Sequence, residues 1–437
     1  MNTLLIVALC IFPAIFVLRG KTKKVVYLKQ LALPIICTAF ILCLIVFSDK
    51  ALKAAANGLK LWLNIVVPSL FPFFVASDLL NTTGFVRAAG VLLEPIMKPL
   101  FNVPGCGSFP FALGVVSGYP VGAKITASMR AKNMLTKTEA ERLIAFTNNS
   151  GPLFIIGAVA AGMFKMPSVG LFLLLCHIAA CITVGIIFRF YGINRKKSKK
   201  NNKSYPSGYS SSMQTAINRE NIFKRFKQEL FKSASYESQN LGSILASAIK
   251  DSIMTILSIG GFIILFSVII NLLRETGLIR AASLMLEPLL SPVGISSDII
   301  TSVLSGFFEI TTGTNLVSTA DATMTQKLCA ASLIIGWAGL SVHSQVLSII
   351  SSTDLSIKPY LFGKLLQGII SALYTFIGIK KAGHLFLKVQ PVFSHFQSDS
   401  WQTSLIISTS CLALSILLLL TLIIICILGI YLGKIRK

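Results

Sequence analysis

"LLNTTGFVRAAGVLLEP" (79–95) and "LLRETGLIRAASLMLEP" (272–288) lie 193 residues apart, and ten of their seventeen paired positions are identical. Agreement that dense points to an internal duplication. Each copy sets an arginine seven positions before a glutamate, Arg87 with Glu94 and Arg280 with Glu287, a spacing that puts both on one helix face. Each ends in Glu-Pro, which suits a helix junction because proline disfavours helical backbone in the residue before it. The parallel continues downstream. "GVVSGYPVGAK" (114–124) answers "SVLSGFFEITTGTN" (302–315), and "LIAFTNNSGPLF" (143–154) answers "LIIGWAGLSVHSQ" (333–345).

The text around these motifs is that of a polytopic membrane protein. Hydrophobic residues make up 54% of the chain, charged residues 13%, and mean hydropathy is +0.77, against about 25% charged in soluble domains. A spanning helix needs about 20 apolar residues, and such stretches are read at 2–18, 26–48, 57–80, 141–163, 168–190, 246–272, 327–350, 358–379 and 403–432. The first is followed by "RGKTKK" and preceded by no basic residues, the reverse of a secretory signal, so it is expected to be an uncleaved anchor. The net charge of +24 is concentrated in short segments beside the apolar stretches, where the positive-inside rule puts it, so no nucleic-acid partner is expected. The nine cysteines lie mostly within apolar text (Cys37, Cys43, Cys176, Cys181, Cys411 and Cys426 among them) and none forms a CxxC pair. No metal or cofactor is therefore expected. With no Walker A loop, HExxH, GxSxG or dinucleotide fingerprint, an enzyme is not expected either.

One long polar segment, 194–237, divides the chain, with eleven Lys/Arg against three Glu. It is read as a basic cytoplasmic linker, in which "NIFKRFKQELF" has the pattern of a helix lying on anionic lipid or of a plain solvated helix. Keeping "RGKTKK", "RAKNMLTKTEAER", the linker and the C-terminal "KIRK" on one side requires 85–125 to be a re-entrant hairpin; "KKAGHLFLK" (380–388) is then left on the other side. The helix at 246–272 then runs opposite to its counterpart at 57–80. The expected architecture is all-α, with two inverted repeats, broken helices and re-entrant hairpins. The division is 1–50 N-terminal helices, 51–192 first repeat, 193–244 linker, 245–380 second, inverted repeat and 381–437 C-terminal helix. Inverted repeats with broken elements near the midplane are a common plan of secondary transporters.

Candidate binding residues follow from the breaks. In "SGYPVGAK", Ser117, Gly118 and Gly122 allow close backbone approach, Pro120 interrupts the helix, and Lys124 follows. A helix N-terminus there would present free N–H groups to a carboxylate, with Lys124 adding a full charge or else snorkelling to the surface. Tyr119 offers a ring surface, as do Phe307 and Phe308. In the second copy Glu309, Thr311, Thr312 and Asn315 replace the lysine-ended tip; a glutamate at membrane depth is a candidate for ion coupling or a satisfied structural acid. Asn148, Asn149 and Ser150, matched by Ser341, His343, Ser344 and Gln345, could supply directional hydrogen bonds, and His343 titrates near neutral pH. Arg87 and Arg280 would each cost about 2.5 to 3.5 kcal/mol at the bilayer centre, offset either by the neighbouring glutamate or by an anion on a pathway. Asp78 and Asp251 are weaker candidates.

At "SGYPVGAK", "FTNNSGPLFIIGAV" and the paired "TGxxRAAxxxLEP" units, the chain resembles the sporulation integral membrane proteins of the YlbJ type, within the wider Gate or nucleoside-recognition group. That resemblance covers roughly 50–190 and 245–380. It implies expression in the mother cell of an endospore former, a place in the outer forespore membrane, and movement of dipicolinic acid toward the spore. Dipicolinate is a planar aromatic dianion, so its site needs a cation or helix N-terminus for each carboxylate and a surface for the ring. The Gate likeness alone implies a nucleoside-transporter-like fold, which keeps a nucleoside as an alternative substrate; a scaffold recruiting spore-assembly proteins through the linker is the alternative outside transport. Homo-oligomerisation stays open, and the lipid bilayer is the one certain surrounding.

Overall fold

The computed structural model describes residues 23–82, 85–192, 224–228 and 241–387, which form helices and turns with no strand among the described residues. The stretches expected at 2–18 and 403–432, and most of the linker, lie outside them. Helix α1 (Lys23–Val46) precedes the duplicated part. In the first half α2 (Ser48–Leu61) passes through a π-helical turn, Trp62–Val66, into α3 (Val67–Thr82). The repeated motif forms α4 (Phe85–Ile96). It is followed by α5 (Ser108–Val116), α6 (Val121–Ala131), α7 (Lys137–Thr147), a π-helical segment Phe154–Met163, and α8 (Ser168–Phe188). In the second half α9 (Leu241–Glu275) leads into α10 (Leu278–Leu290), which carries the second copy. Then come α11 (Ser297–Phe308), α12 (Ile310–Thr319), α13 (Met324–Trp337), α14 (Gly339–Ile350) and α15 (Ile357–Leu387).

The order repeats: a long lead helix, the Arg/Glu-Pro helix, two helices meeting at a break, two more meeting at a second break, and a long closing helix. Local signals set the boundaries. Thr136 and Glu139 form a capping box that starts α7, while Ser296 and Thr323 cap α11 and α13, each satisfying amides that have no partner in the first turn.

Among the described residues five helices are long and apolar enough to cross a membrane: Ser48–Ala76, Ser168–Phe188, Gly242–Glu275, Met324–Ile350 and Ile357–Lys381. A sixth candidate is the pair Gly90–Phe101 and Gly105–Val116, bent by 108° at its break. That bend falls within the stretch expected to fold as a hairpin. One expectation is corrected: 141–163 is not a continuous span, because α7 ends at Thr147 and residues 148–151 are irregular before helical structure resumes and runs into the π-helical segment. Hydropathy runs straight across this break, since Asn148, Asn149, Ser150, Gly151 and Pro152 are flanked on both sides by apolar residues. The stretch at 327–350 does run as one span, interrupted at Ala338, where φ is +76°.

The two halves meet through corresponding helices. Lys50 of α2 bonds Glu275 of α9 at 2.7 Å, the Ala54 carbonyl accepts from Ser267, and Trp62 Nε1 donates to the Ile256 carbonyl at 3.1 Å. Partner numbers fall as α2 advances, so the lead helices are antiparallel. The closing helices follow the same rule: Phe172 of α8 packs on Gly378 of α15, and Phe188 on Phe362. Small residues permit the approach, Gly58 lying against Ser267 and Gly260 beneath the Trp62 indole. The Lys50–Glu275 pair is partly exposed, so it fixes register more than it stabilises.

Each half crosses its own two breaks. Gly118, at φ +79°, lies on Gly151, and a Cβ there would stand 2.8 Å from the Gly151 nitrogen. Gly339 lies in the same way on the backbone of Phe308, Glu309 and Ile310. At the end of α6, Arg130 forms a bidentate pair with Asp354 in the turn before α15, at 2.9 and 3.0 Å.

Gly118→Ala is expected to lower stability by about 1–3 kcal/mol through the strained conformation and the close approach. Gly261→Ala, where a Cβ meets nothing within 4 Å, should be neutral or slightly stabilising; thermal unfolding in detergent compares them. The Arg130 guanidinium also holds the Asp354 carboxyl below the usual range. Stabilisation from this pair is therefore complete above the unfolded value of about 3.9 and disappears as pH falls through the depressed native value. Arg130→Gln should accordingly unfold at a lower temperature than the parent at neutral pH, with the gap closing in acid.

Candidate functional site

Two cavities that share lining residues lie beside the crossing of the breaks. The larger, of about 960 Å³, is lined by α3, α4, α5, α6 and α9, and carries Asp78, Glu94, Lys124, Lys132, Arg225 and Asp251 on its walls. The smaller, of about 40 Å³, is walled by Ser117, Gly118, Tyr119 and Gly151 of the first half and by Glu309, Thr311, Ser341 and Gln345 of the second. Phe74, Ser117 and Tyr119 line both, so the wide cavity narrows at the first break onto the meeting point of the two halves.

The two breaks present opposite electrostatics. Helix α6 starts after Pro120 with no side-chain cap, its first amide, that of Val121, donating to the Gly118 carbonyl at 3.1 Å. Helix α12 starts under the Glu309 carboxylate, which accepts from the Thr311 and Thr312 amides at 2.9 and 2.5 Å. A buried carboxylate on amides at a helix N-terminus is favourably placed, so the second break fills its own anion-binding position. Of the two N-termini, that of α6 carries no side-chain cap, and Lys124 in its first turns lies on the wall of the large cavity. Asp78 lies within electrostatic range of both Lys124 and Asp251. Arg225, from the one described piece of the linker, closes on Glu94 at 2.7 Å. The glutamate of the first motif copy thus pairs across to the linker.

Other sequence candidates are placed elsewhere. Arg280 is exposed on α10 and lines neither cavity; the Arg87 side chain lies outside the described residues. Gly122 is packed under the Thr147 carbonyl, a backbone role. Asn315 lines neither cavity, and its carbonyl accepts from Ser318. Thr312 gives its amide to Glu309. Phe307 stacks on Trp337 at 5.0 Å.

Asn148, Asn149, Ser150 and His343 lie behind the cavities in a buried polar network. Lys364 Nζ donates to the Asn148 carbonyl at 3.1 Å and to Gln367 Oε1 at 2.9 Å. Gln367 Nε2 donates to Asn149 Oδ1 at 2.8 Å and lies 3.3 Å from His177 Nε2. The Tyr360 hydroxyl takes Asn148 Nδ2 at 3.1 Å and meets His343 Nδ1 at 3.1 Å. Ser150 donates to the Ile335 carbonyl. Lys364, Gln367, Tyr360 and His177 were missed from the sequence. The signal was present: Tyr360, Lys364, Gln367, Ser371 and Thr375 recur at helical spacing and all are fully buried, which makes a polar stripe on an otherwise apolar span.

Residues 63–194 and 256–356 match the family described as Gate, nucleoside recognition. The sporulation integral membrane protein YlbJ of Bacillus subtilis (strain 168) is 40% identical over 329 residues, which are 75% of this chain and 78% of that protein. A solved structure, CNTnw in an inward-facing substrate-bound state, is similar at 14% identity and a TM-score of 0.46, over 87% of this chain and 98% of that one. The chain belongs to the family of sporulation integral membrane proteins that carries the Gate, nucleoside-recognition, domain.

Proposed function

We propose that this chain is a secondary carrier or facilitator for dipicolinate, acting in the outer forespore membrane and moving its substrate from the mother cell toward the spore. The observation that carries this reading is the narrowing at Ser117 and Tyr119. A cavity of about 960 Å³ leads there, and the uncapped N-terminus of α6 lies beside Lys124 at its wall. One carboxylate would take the α6 amides and the other the Lys124 ammonium, while Tyr119 and Phe74 flank the ring. The antiparallel pairing of α2 with α9 and of α8 with α15 supports two halves threaded in opposite senses, the arrangement that alternating access uses. Anionic lipid remains a proposed contact of the basic linker.

One observation favours a second reading. The wide cavity holds three cations, Lys124, Lys132 and Arg225, against three carboxylates, Asp78, Glu94 and Asp251, and so even a balance suits a neutral solute such as a nucleoside. Competition separates the two: excess uridine or adenosine should leave labelled dipicolinate flux into proteoliposomes untouched, and inhibition by either nucleoside would move the assignment.

Lys124→Ala should raise KM for dipicolinate about ten- to hundredfold, since a charged hydrogen bond contributes about 1.5–3 kcal/mol. Spores of that variant should hold less dipicolinate. Deleting 196–235 is expected to leave flux in place; loss of spore formation on that deletion with normal function in Lys124→Ala would instead make the chain a scaffold.

A further inference from the structure

Lys364 stands within the span Ile357–Lys381 and is 0% exposed. Among the described residues it forms no ion pair. Its two hydrogen-bond acceptors, the Asn148 carbonyl and Gln367 Oε1, are both neutral. The other groups facing it carry no negative charge: His177 and Cys181 from α8, His343 from α14 and Tyr360 from its own helix. From α7, Glu141 is turned to the Ser356 amide and the Tyr191 hydroxyl, and Arg142 to the carbonyls of Tyr191 and Asn102. On α13, Lys327 is bonded to the Ser318 carbonyl, and Cys329 lies near Cys176.

An ammonium brings three donors and no acceptor; a neutral amine brings two donors and a lone pair. Two donated bonds to neutral acceptors are what the amine needs. An unpaired ammonium buried here would cost several kcal/mol. The shell nevertheless has spare capacity, since Asn148 Oδ1, His177 Nδ1, His343 Nε2 and Thr147 Oγ1 are buried without partners. The network lies close to the cavities. Tyr119, which lines both, lies within electrostatic range of Tyr360, and Tyr360 joins Asn148 to His343.

We propose that Lys364 is a proton-binding site, empty in this conformation, that loads together with an anionic substrate. On the loading side the amine takes a proton from hydronium, giving ammonium and water, and the new charge offsets one negative charge of the substrate. On the release side the ammonium returns its proton to water. One proton thus crosses with each anion. This coupling rests on the carrier reading above; the protonation state does not.

The test uses the full chain in proteoliposomes with labelled dipicolinate and an internal pH dye. Wild type should accumulate dipicolinate under an inward proton gradient and acidify the lumen as it does so. Lys364→Met should lose gradient-driven accumulation and the acidification; Lys364→Gln replaces it if the methionine variant fails to fold. Dipicolinate flux in wild type without proton movement, or unchanged accumulation in the variant, overturns the proposal. A second measurement needs no substrate. In the unfolded chain a lysine keeps its proton up to about pH 10.4, so a native amine makes wild type gain thermal stability relative to Lys364→Met as pH rises from about 7 to about 10. A difference that stays flat with pH overturns the proton site. Absence of dipicolinate flux alongside the rising difference would strike the carrier reading and leave the proton site standing.

Discussion

Irregular backbone at membrane depth must find hydrogen-bond partners within the protein, because lipid supplies none. Four breaks create that demand here, and the two halves meet it for each other. Lys364 of the second half takes the Asn148 carbonyl of the first, and Ser150 of the first takes the Ile335 carbonyl of the second. Within each half the remaining groups close locally. Asn149 Nδ2 and Cys181 Sγ share the Phe146 carbonyl, Glu309 holds the amides of Thr311 and Thr312, and Trp337 Nε1 takes the Phe307 carbonyl. Neither pair of breaks is complete alone, so the duplication is also the source of its own stability.

Glycine sets how closely the breaks cross. Gly118 on Gly151 and Gly339 on Glu309 occupy corresponding places, and Gly336 on Gly368 extends the second crossing to the closing helix. These contacts leave little room for lipid or water between the strands of irregular chain. The cavities therefore open beside the crossing, on the side of α3 and α9, and not through it.

The duplication and both breaks were legible in the amino-acid text, because glycine, proline and small polar residues in apolar surroundings have few other uses. The lead and closing helices were legible by length and hydropathy. What escaped was partnership. A single lysine in a long apolar stretch reads as a topological charge until its helical neighbours Tyr360, Gln367, Ser371 and Thr375 are set on one face. Glu309 reads in sequence as either an ion-coupling or a satisfied structural acid, and its two amide partners lie only two and three residues on. Arg280 reads as an intramembrane cation, yet α10 turns it outward, and no pattern in sequence distinguishes an outward from an inward arginine on an amphipathic helix. The span at 141–163 failed for a related reason: averaging hydropathy over about 20 residues conceals a break of four.

Repetition and difference divide the labour of the molecule. Residues that recur in both copies, the Arg/Glu-Pro helices and the crossing glycines, build the scaffold, and even the recurring glutamates differ in use, Glu94 being held by Arg225 of the linker. Residues that occur once make the site directional. The first break starts its helix without a side-chain cap and with Lys124 near it, whereas the second caps its own N-terminus with Glu309. The second break therefore carries its own fixed carboxylate where the first carries a lysine.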